Sequence, residues 1–337
     1  MPRAITATAP CRADLAGGTM DIWPLYLFHA GAVTVNFALT TLTRCTIAAL
    51  PGKTIHLRSL DTGREQRFAS LDALLRARTS QHPLAAHLVR FFRPRGGFRL
   101  ETDSASPAGA GISGSSALMI ATAAALARFT GRSLGREALR VLAQNVEAQL
   151  IGVPTGCQDY YPALYGGVNA IHLDADGVHR HALPVAAAEL DARFLLAYTG
   201  APRQSGVNNW EVFKAHLDGD RRVFRNFEEI AAIARAMRDA LTARDWDSVA
   251  RLLAAEWKLR KTNAPAITTP LIERLIAVAR RHGARAAKVC GAGGGGCVLF
   301  LMEPGARRGV AAALADHGAV MLPARVARRG LQVRTKG

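Results

Sequence analysis

Pro107-Ala108-Gly109-Ala110-Gly111-Ile112-Ser113-Gly114-Ser115-Ser116-Ala117 runs straight into an Ala/Leu/Met-rich segment, residues 117–129, with the composition of a helix. Glycines let backbone N–H groups turn toward a ligand, and serines place hydroxyls beside them. A helix opening at this point adds unpaired N–H groups and the positive end of its dipole. Together these features make an anion cradle suited to a polyphosphate. The loop holds no Lys, so it is not the G-x-x-x-x-G-K-[ST] loop of P-loop enzymes. A Gly/Ser-rich turn that only caps a helix reads the same way, so support has to come from elsewhere in the chain.

Two further segments supply it. One is Ala9-Pro10-Cys11-Arg12-Ala13-Asp14-Leu15-Ala16-Gly17-Gly18-Thr19-Met20-Asp21, and the other spans Lys288-Val289-Cys290-Gly291-Ala292-Gly293-Gly294-Gly295-Gly296-Cys297. In this order and at these separations, the three segments resemble the three motifs of the GHMP kinases. That superfamily includes galactokinase, homoserine kinase, mevalonate kinase and phosphomevalonate kinase. Glu147, the run Gly152-Val153-Pro154-Thr155-Gly156-Cys157-Gln158-Asp159-Tyr160, and Gly166-Gly167 lie between the second and third. They resemble the sugar-kinase branch, in particular heptose-7-phosphate 1-kinases and fucokinases.

The resemblance implies an α+β protein of two domains: a ribosomal-S5-like N-terminal domain, residues 1–190, and a ferredoxin-like C-terminal domain, residues 191–337. The active site would lie between them. It implies ATP as donor, Mg²⁺ as cofactor and the anomeric C1 hydroxyl of a sugar or sugar phosphate as acceptor. A heptose 7-phosphate is the first choice, and fucose, galactose or a related hexose is next. A non-catalytic nucleotide- or sugar-binding regulator on the same fold is the alternative of another class. Retention of Arg12, Glu147 and Asp159 together argues against it, because a pure binder needs no acid–base pair.

Each part of phosphoryl transfer then has a candidate. The polyphosphate falls to the loop from Pro107 through Gly109, Ala110, Gly111, Ile112, Ser113, Gly114, Ser115 and Ser116. Glu147 resembles the family's Mg²⁺-binding Glu, with Ser115 as partner hydroxyl; two protein oxygens suffice for Mg²⁺. Because Gly111-Ile112-Ser113-Gly114-Ser115-Ser116 departs from the commoner G-L-G-S-S-A, the choice between Ser115 and its neighbours stays open. Asp159 matches the catalytic Asp that takes or orients the acceptor proton. Arg12 matches the basic residue opposite, which keeps that carboxylate ionised. A helix N-cap for Asp159, a surface Arg for Arg12 and an exposed helix Glu for Glu147 are the plain alternatives.

On the acceptor side, Asp21 is expected to take hydrogen bonds from sugar hydroxyls, with Gly17 and Gly18 allowing close backbone approach. The Gly18-Thr19 pair stands where galactokinases carry an acidic residue and His, which favours heptose and fucose kinases. Tyr160, Gly293 and Gly294 join the expected substrate contacts. Arg203 could clamp a substrate phosphate or lie in a surface loop. Trp23 and Tyr26 could stack on a sugar or belong to the core. Gly291 to Gly296 formally fits G-x-G-x-x-G, but a strand-like run follows and too little chain remains for a dinucleotide-binding unit. A turn that supports the nucleotide loop and closes over substrate fits better.

Composition sets the outer limits. The 337 residues are 49% hydrophobic with mean hydropathy +0.08, enough for a substantial core. No apolar stretch approaches the roughly 20 residues needed to span a bilayer, and the first residues lack a signal-peptide core, so a cytoplasmic protein without membrane association is expected. Five scattered cysteines without a C-x-x-C pair argue for reduced thiols. The net charge of +17 comes from 37 Arg and only 6 Lys, interspersed with Ala, Leu and Asp. No long basic run appears, so specific nucleic-acid binding is not expected. Self-association into a homo-oligomer stays open.

Periodicity predicts strands over 4–16, 32–50 (one or two), 98–101, 167–173, 194–198, 286–290, 297–302 and 331–335. It predicts helices over 71–77, 83–92, 117–129, 136–151, 207–217, 223–242, 246–262, 270–281 and 306–317.

Overall fold

The computed structural model describes residues 4–202 and 207–336. Alternating small and β-branched residues form β1 (Ala4–Ala16), and the run after the first motif forms β2 (Ala32–Leu50), a single strand of 19 residues. The two pair antiparallel, with register shifts between Pro10 and Cys11 and between Asp14 and Ala16. The first shift falls at a proline, whose missing N–H cannot serve the ladder. A hairpin of β3 (Ile55–Ser59) and β4 (Glu65–Phe68) follows, then α1 (Leu71–Arg76), α2 (Pro83–Phe92) and β5 (Gly97–Ser104). The Gly/Ser loop leads into α3 (Gly114–Phe129), and α4 (Arg136–Ile151) and α5 (Tyr160–Tyr165) come next. A second hairpin, β6 (Val168–Asp174) with β7 (Gly177–Ala182), then α6 (Ala187–Arg193), lead to β8 (Phe194–Tyr198).

Beyond β8 stand α7 (Val207–Leu217), α8 (Arg221–Ala243), α9 (Trp246–Asn263) and α10 (Pro270–Arg281). The chain closes with β9 (Ala284–Val289), β10 (Cys297–Met302), α11 (Arg307–Asp316), β11 (Val320–Met321) and β12 (Gln332–Lys336). Asp220, Asp245 and Thr269 start α8, α9 and α10 by accepting first-turn backbone N–H groups, the usual way a helix end is satisfied.

Two sheets result. The first runs β12-β1-β2-β5-β3-β4, with β6 and β7 joined to the opening half of β2. The second is antiparallel in the order β11-β8-β10-β9. Strands β3, β4 and β7 were not expected from sequence; they are short and carry charged, exposed side chains. The last strand returns to pair with β1, so the chain's end completes the sheet that its beginning started.

Helix α3 is Ala-rich and buried on almost every side, packed on β1 and β2. A helix apolar all round belongs inside the core, and alanines let it approach the sheet closely. This holds the N-terminus of α3 against the end of β1. In the second half, α8 packs on α9 and α9 on β9. Among the described residues no helix is long and apolar enough to cross a membrane.

Candidate active site

The end of β1, the loop before α3 and the turn after β9 meet around a cleft of about 410 Å³. In the loop, Gly109, Gly111 and Ser113 have φ of 66°, 78° and 62°, which turns successive peptide groups to one side. No side chain caps α3, so its first amides open toward the cleft, with Ser115 exposed there. The third motif braces this loop from behind. The Cys297 N–H donates to the Ala110 carbonyl at 2.7 Å, and a Cβ on Gly296 would meet that carbonyl oxygen at 2.6 Å.

Arg12 and Asp14 lie two apart on β1. The Arg12 guanidinium is buried, with Nη2 2.7 Å and Nε 2.8 Å from Asp159 Oδ1. Its Nη1 donates to Asp14 Oδ1 at 3.1 Å and to the Gly111 carbonyl at 3.0 Å. Burial opposes its charge, but the Asp159 and Asp14 carboxylates outweigh burial and hold its pKa above the ordinary value. Asp159 stands at the N-cap of α5 without capping it. Its carboxylate turns to Arg12 instead, with a quarter of the side chain open to the cleft.

Glu147 projects from α4 into the same place and is buried, not exposed on its helix. Its Oε2 accepts the Tyr160 hydroxyl at 2.5 Å and Ser116 Oγ at 2.8 Å; Ser116 Oγ also lies 3.5 Å from Asp159 Oδ2. Burial pushes the Glu147 carboxyl above the ordinary range, and the two hydrogen bonds pull it back in part. A buried carboxylate in this state gains from a cation beside it. With serine hydroxyls adjacent, the donors are all oxygen, the set Mg²⁺ prefers. Among the described residues no group of three or more His, Cys, Asp or Glu could hold a metal. Glu147 and the serine hydroxyls beside it are the oxygens at this place that could hold a cation together with phosphate oxygens.

On the other flank Asp21 is buried, accepting the Gln158 main-chain N–H at 2.8 Å and Gln158 Nε2 at 3.2 Å. Burial lifts its carboxyl to about 6, against the pull of the Gln158 backbone bond. Gly18, Gln158 and Asn209 also line this part of the cleft, and Thr19 Oγ1 donates to Asn209 Oδ1 at 3.0 Å.

Several expected substrate contacts sit elsewhere. Tyr160 is fully buried behind Glu147, so it serves that carboxylate and does not face the cleft. Gly17 backs onto β2, where a Cβ would lie 2.2 Å from the Val33 carbonyl oxygen; close packing requires glycine there. Gly294 donates to the Ile267 carbonyl at 2.8 Å and Gly293 packs against Ile267, while Gly291 and Ala292 line the cleft in their place. Trp23 is exposed and lies outside the lining. Arg203 lies outside the described residues.

Sequence reading passed over Asp14, Glu256, Arg260 and Lys288, which form a buried ionic cluster behind Arg12. The one available signal was Lys288, one of only six lysines, set in an apolar strand.

Comparison with known proteins agrees with this architecture. The GHMP kinases N terminal domain model matches residues 80–167 and the GHMP kinases C terminal model matches residues 237–320, together half of the chain. The D-glycero-alpha-D-manno-heptose 7-phosphate kinase of Campylobacter jejuni is 28% identical over 312 residues, covering 90% of each chain. The bifunctional fucokinase/GDP-fucose pyrophosphorylase of Arabidopsis thaliana is 26% identical over 90% of this chain and 30% of its own length. Among solved structures, a D-glycero-D-manno-heptose 1-phosphate kinase from Bacteroides thetaiotaomicron superposes with a TM-score of 0.79 at 22% identity, covering 99% of each chain. Lactococcus lactis galactokinase with galactose superposes at 0.81 and 19% identity, covering 98% of this chain and 95% of its own. With both halves of the family matched in order and the fold shared end to end, this chain belongs to the GHMP kinases, which take their phosphoryl group from ATP.

Proposed function

We propose that this kinase phosphorylates the anomeric C1 hydroxyl of a sugar or sugar phosphate, a heptose 7-phosphate first, with fucose, galactose or a related hexose next. The observation that carries the reading is the Arg12–Asp159 pair. It lies between the N-terminus of α3 on one side and Asp21 on the other. The similarity to a heptose 7-phosphate kinase along nine-tenths of both chains supports the choice of acceptor.

In this mechanism the α3 amides and the loop before it bind the phosphates of ATP. Glu147 and the Ser115 hydroxyl would hold Mg²⁺, which neutralises phosphate charge when bound. Asp21 and the backbone at Gly18 orient the sugar. Asp159 accepts the C1 hydroxyl proton as the new O–P bond forms and the bond between the γ-phosphorus and the β–γ bridging oxygen breaks, leaving ADP. Arg12 holds Asp159 through a two-nitrogen ion pair and faces the transferring group. Positioning supplies much of the rate, because a loose phosphoryl transition state asks little of a base. The same reading divides the chain near residue 190 into two lobes, with β12 returning to the first, and places the kinase in the cytoplasm beside its ATP supply.

The test is a kinase screen across sugars and sugar phosphates with product positions assigned by ³¹P–¹H NMR. A 1-phosphate formed from heptose 7-phosphate is expected. Phosphorylation at another ring position, or turnover confined to non-sugar acceptors, overturns the proposal.

A further inference from the structure

Four ionised side chains close the floor behind Arg12, and no step above uses them. Asp14, wholly buried, receives Lys288 Nζ at 2.8 Å, the Gly291 N–H at 3.0 Å, Arg12 Nη1 at 3.1 Å and Arg260 Nη1 at 3.5 Å. Lys288, equally buried on β9, divides its ammonium between Asp14 Oδ2 and Glu256 Oε2, the latter at 2.7 Å. Glu256 on α9 turns its other oxygen to the Gly17 N–H at 3.2 Å. Arg260, one turn further along α9, reaches the Gly291 carbonyl at 2.8 Å. Two carboxylates meet two cations, so the cluster is neutral in itself.

We propose that this cluster positions Arg12: by neutralising Asp14, Lys288 and its partners leave the Arg12 guanidinium directed at Asp159 and the transferring group. The inference rests on the reading that Arg12 and Asp159 carry the chemistry. Its basis is competition. Arg12 sits between two carboxylates, and with water excluded an uncompensated Asp14 would draw the guanidinium as strongly as Asp159 does. Lys288 lies closer to Asp14 than Arg12 does and removes that pull. Buried ion pairs seldom stabilise a fold more than apolar packing would, so four charges at this depth point to orientation. The partners also come from separate parts of the chain: β1, α9, β9 and the turn at Gly291. Arg12 is thereby set only when both halves of the chain are in place.

The experiment is a charge cycle read by steady-state kinetics on the acceptor that the screen identifies. Lys288→Met leaves the cluster one negative charge in excess. It should lower kcat by about 10²-fold, the scale of a small misplacement, with KM for both substrates within about threefold. Adding Asp14→Asn restores neutrality and removes the carboxylate that would draw Arg12, while its side-chain oxygen still accepts the Gly291 N–H. The double variant should return to within about tenfold of wild type, a coupling that independent structural losses do not produce. If Lys288→Met does not fold, Lys288→Gln takes its place with the same expected direction, since its amide still reaches a carboxylate. Wild-type kcat in the single variant, or a double variant no better than the single, overturns the inference. Asp159→Asn is measured in the same series. Full turnover there removes the underlying reading itself, whereas a large loss there with an unaffected Lys288 variant removes the positioning role alone.

Discussion

Arg12 grips a single oxygen of Asp159 with two nitrogens, Nη2 at 2.7 Å and Nε at 2.8 Å, and leaves Oδ2 toward Ser116 and the cleft. That division fits a carboxylate anchored through one oxygen while the other meets the acceptor. Asp159→Asn keeps shape but cannot take a proton, so kcat should fall while KM for ATP and sugar stays close to wild type. General-base help is typically worth ~10²–10⁴-fold, with the lower end expected for a loose transition state. Arg12→Ala should lower kcat too, and the double variant should lose less than the product of the single losses. Near-wild-type turnover of Asp159→Asn removes Asp159 from the mechanism.

Glu147 tests the metal. Glu147→Gln preserves an oxygen for the Tyr160 and Ser116 hydroxyls but removes the charge that balances Mg²⁺. Activity should fall and half-saturation should require at least about tenfold more Mg²⁺, since loss of even an outer-shell partner typically costs about 10–100-fold in metal affinity. Titrating activity against free Mg²⁺ at saturating ATP reads this directly; an unchanged midpoint rejects Glu147 as a ligand.

Ser115 separates phosphate binding from folding. It is exposed in the first turn of α3, where a helix welcomes negative charge. The helix end favours the new carboxylate and the nearby Glu147 opposes it, so Ser115→Asp should leave the thermal midpoint within a few degrees of wild type. The same carboxylate repels the phosphates of ATP and removes a hydroxyl from the metal, so calorimetry should show ATP affinity lowered by at least about tenfold, roughly 1.4 kcal/mol. Unaltered affinity in the folded variant would move the nucleotide away from this loop.

Much of the fold is written in local periodicity. The alternation of β1, the unbroken apolar run of α3 and the core face of α4 give those elements away without knowledge of their neighbours. Strands β3, β4 and β7 carry no such signal, because they are short and His56, Arg58, Arg67, His179 and Arg180 break their alternation; β4 and β7 are edge strands, where charge is tolerated. The site divides along the same line. The Gly/Ser loop, Arg12 and Asp159 sit in contiguous motifs and could be read from them. Gly17 and Gly293 sit in motifs too, but their roles depend on Val33 and Ile267 pressing against them. The Asp14–Lys288 contact joins residues 274 apart, a distance over which sequence pattern says nothing.

Asp21 makes a pH-dependent prediction whose sign follows from its surroundings. Burial raises its carboxyl from 3.8 to about 6 in the folded protein. Between those values the folded state keeps a proton that the unfolded chain has lost, so this group makes stability fall as pH rises through about 6 and adds no further change above it. Sugar binding should run the other way. Hydroxyl donors need the ionised carboxylate, so KM for the sugar should drop as pH rises through about 6 and level off near 7, while KM for ATP shows no such step. Read on an acceptor without a phosphate group, whose own ionisation at about 6 would overlap, Asp21→Asn should raise the sugar KM, flatten its profile between pH 5 and 8, and remove the stability slope between about pH 4 and 6. A protein that only loses packing on substitution shows the higher KM without the flattening. A wild-type sugar KM that stays constant from pH 5 to 8 removes Asp21 as the acceptor of sugar hydroxyls, whatever its burial.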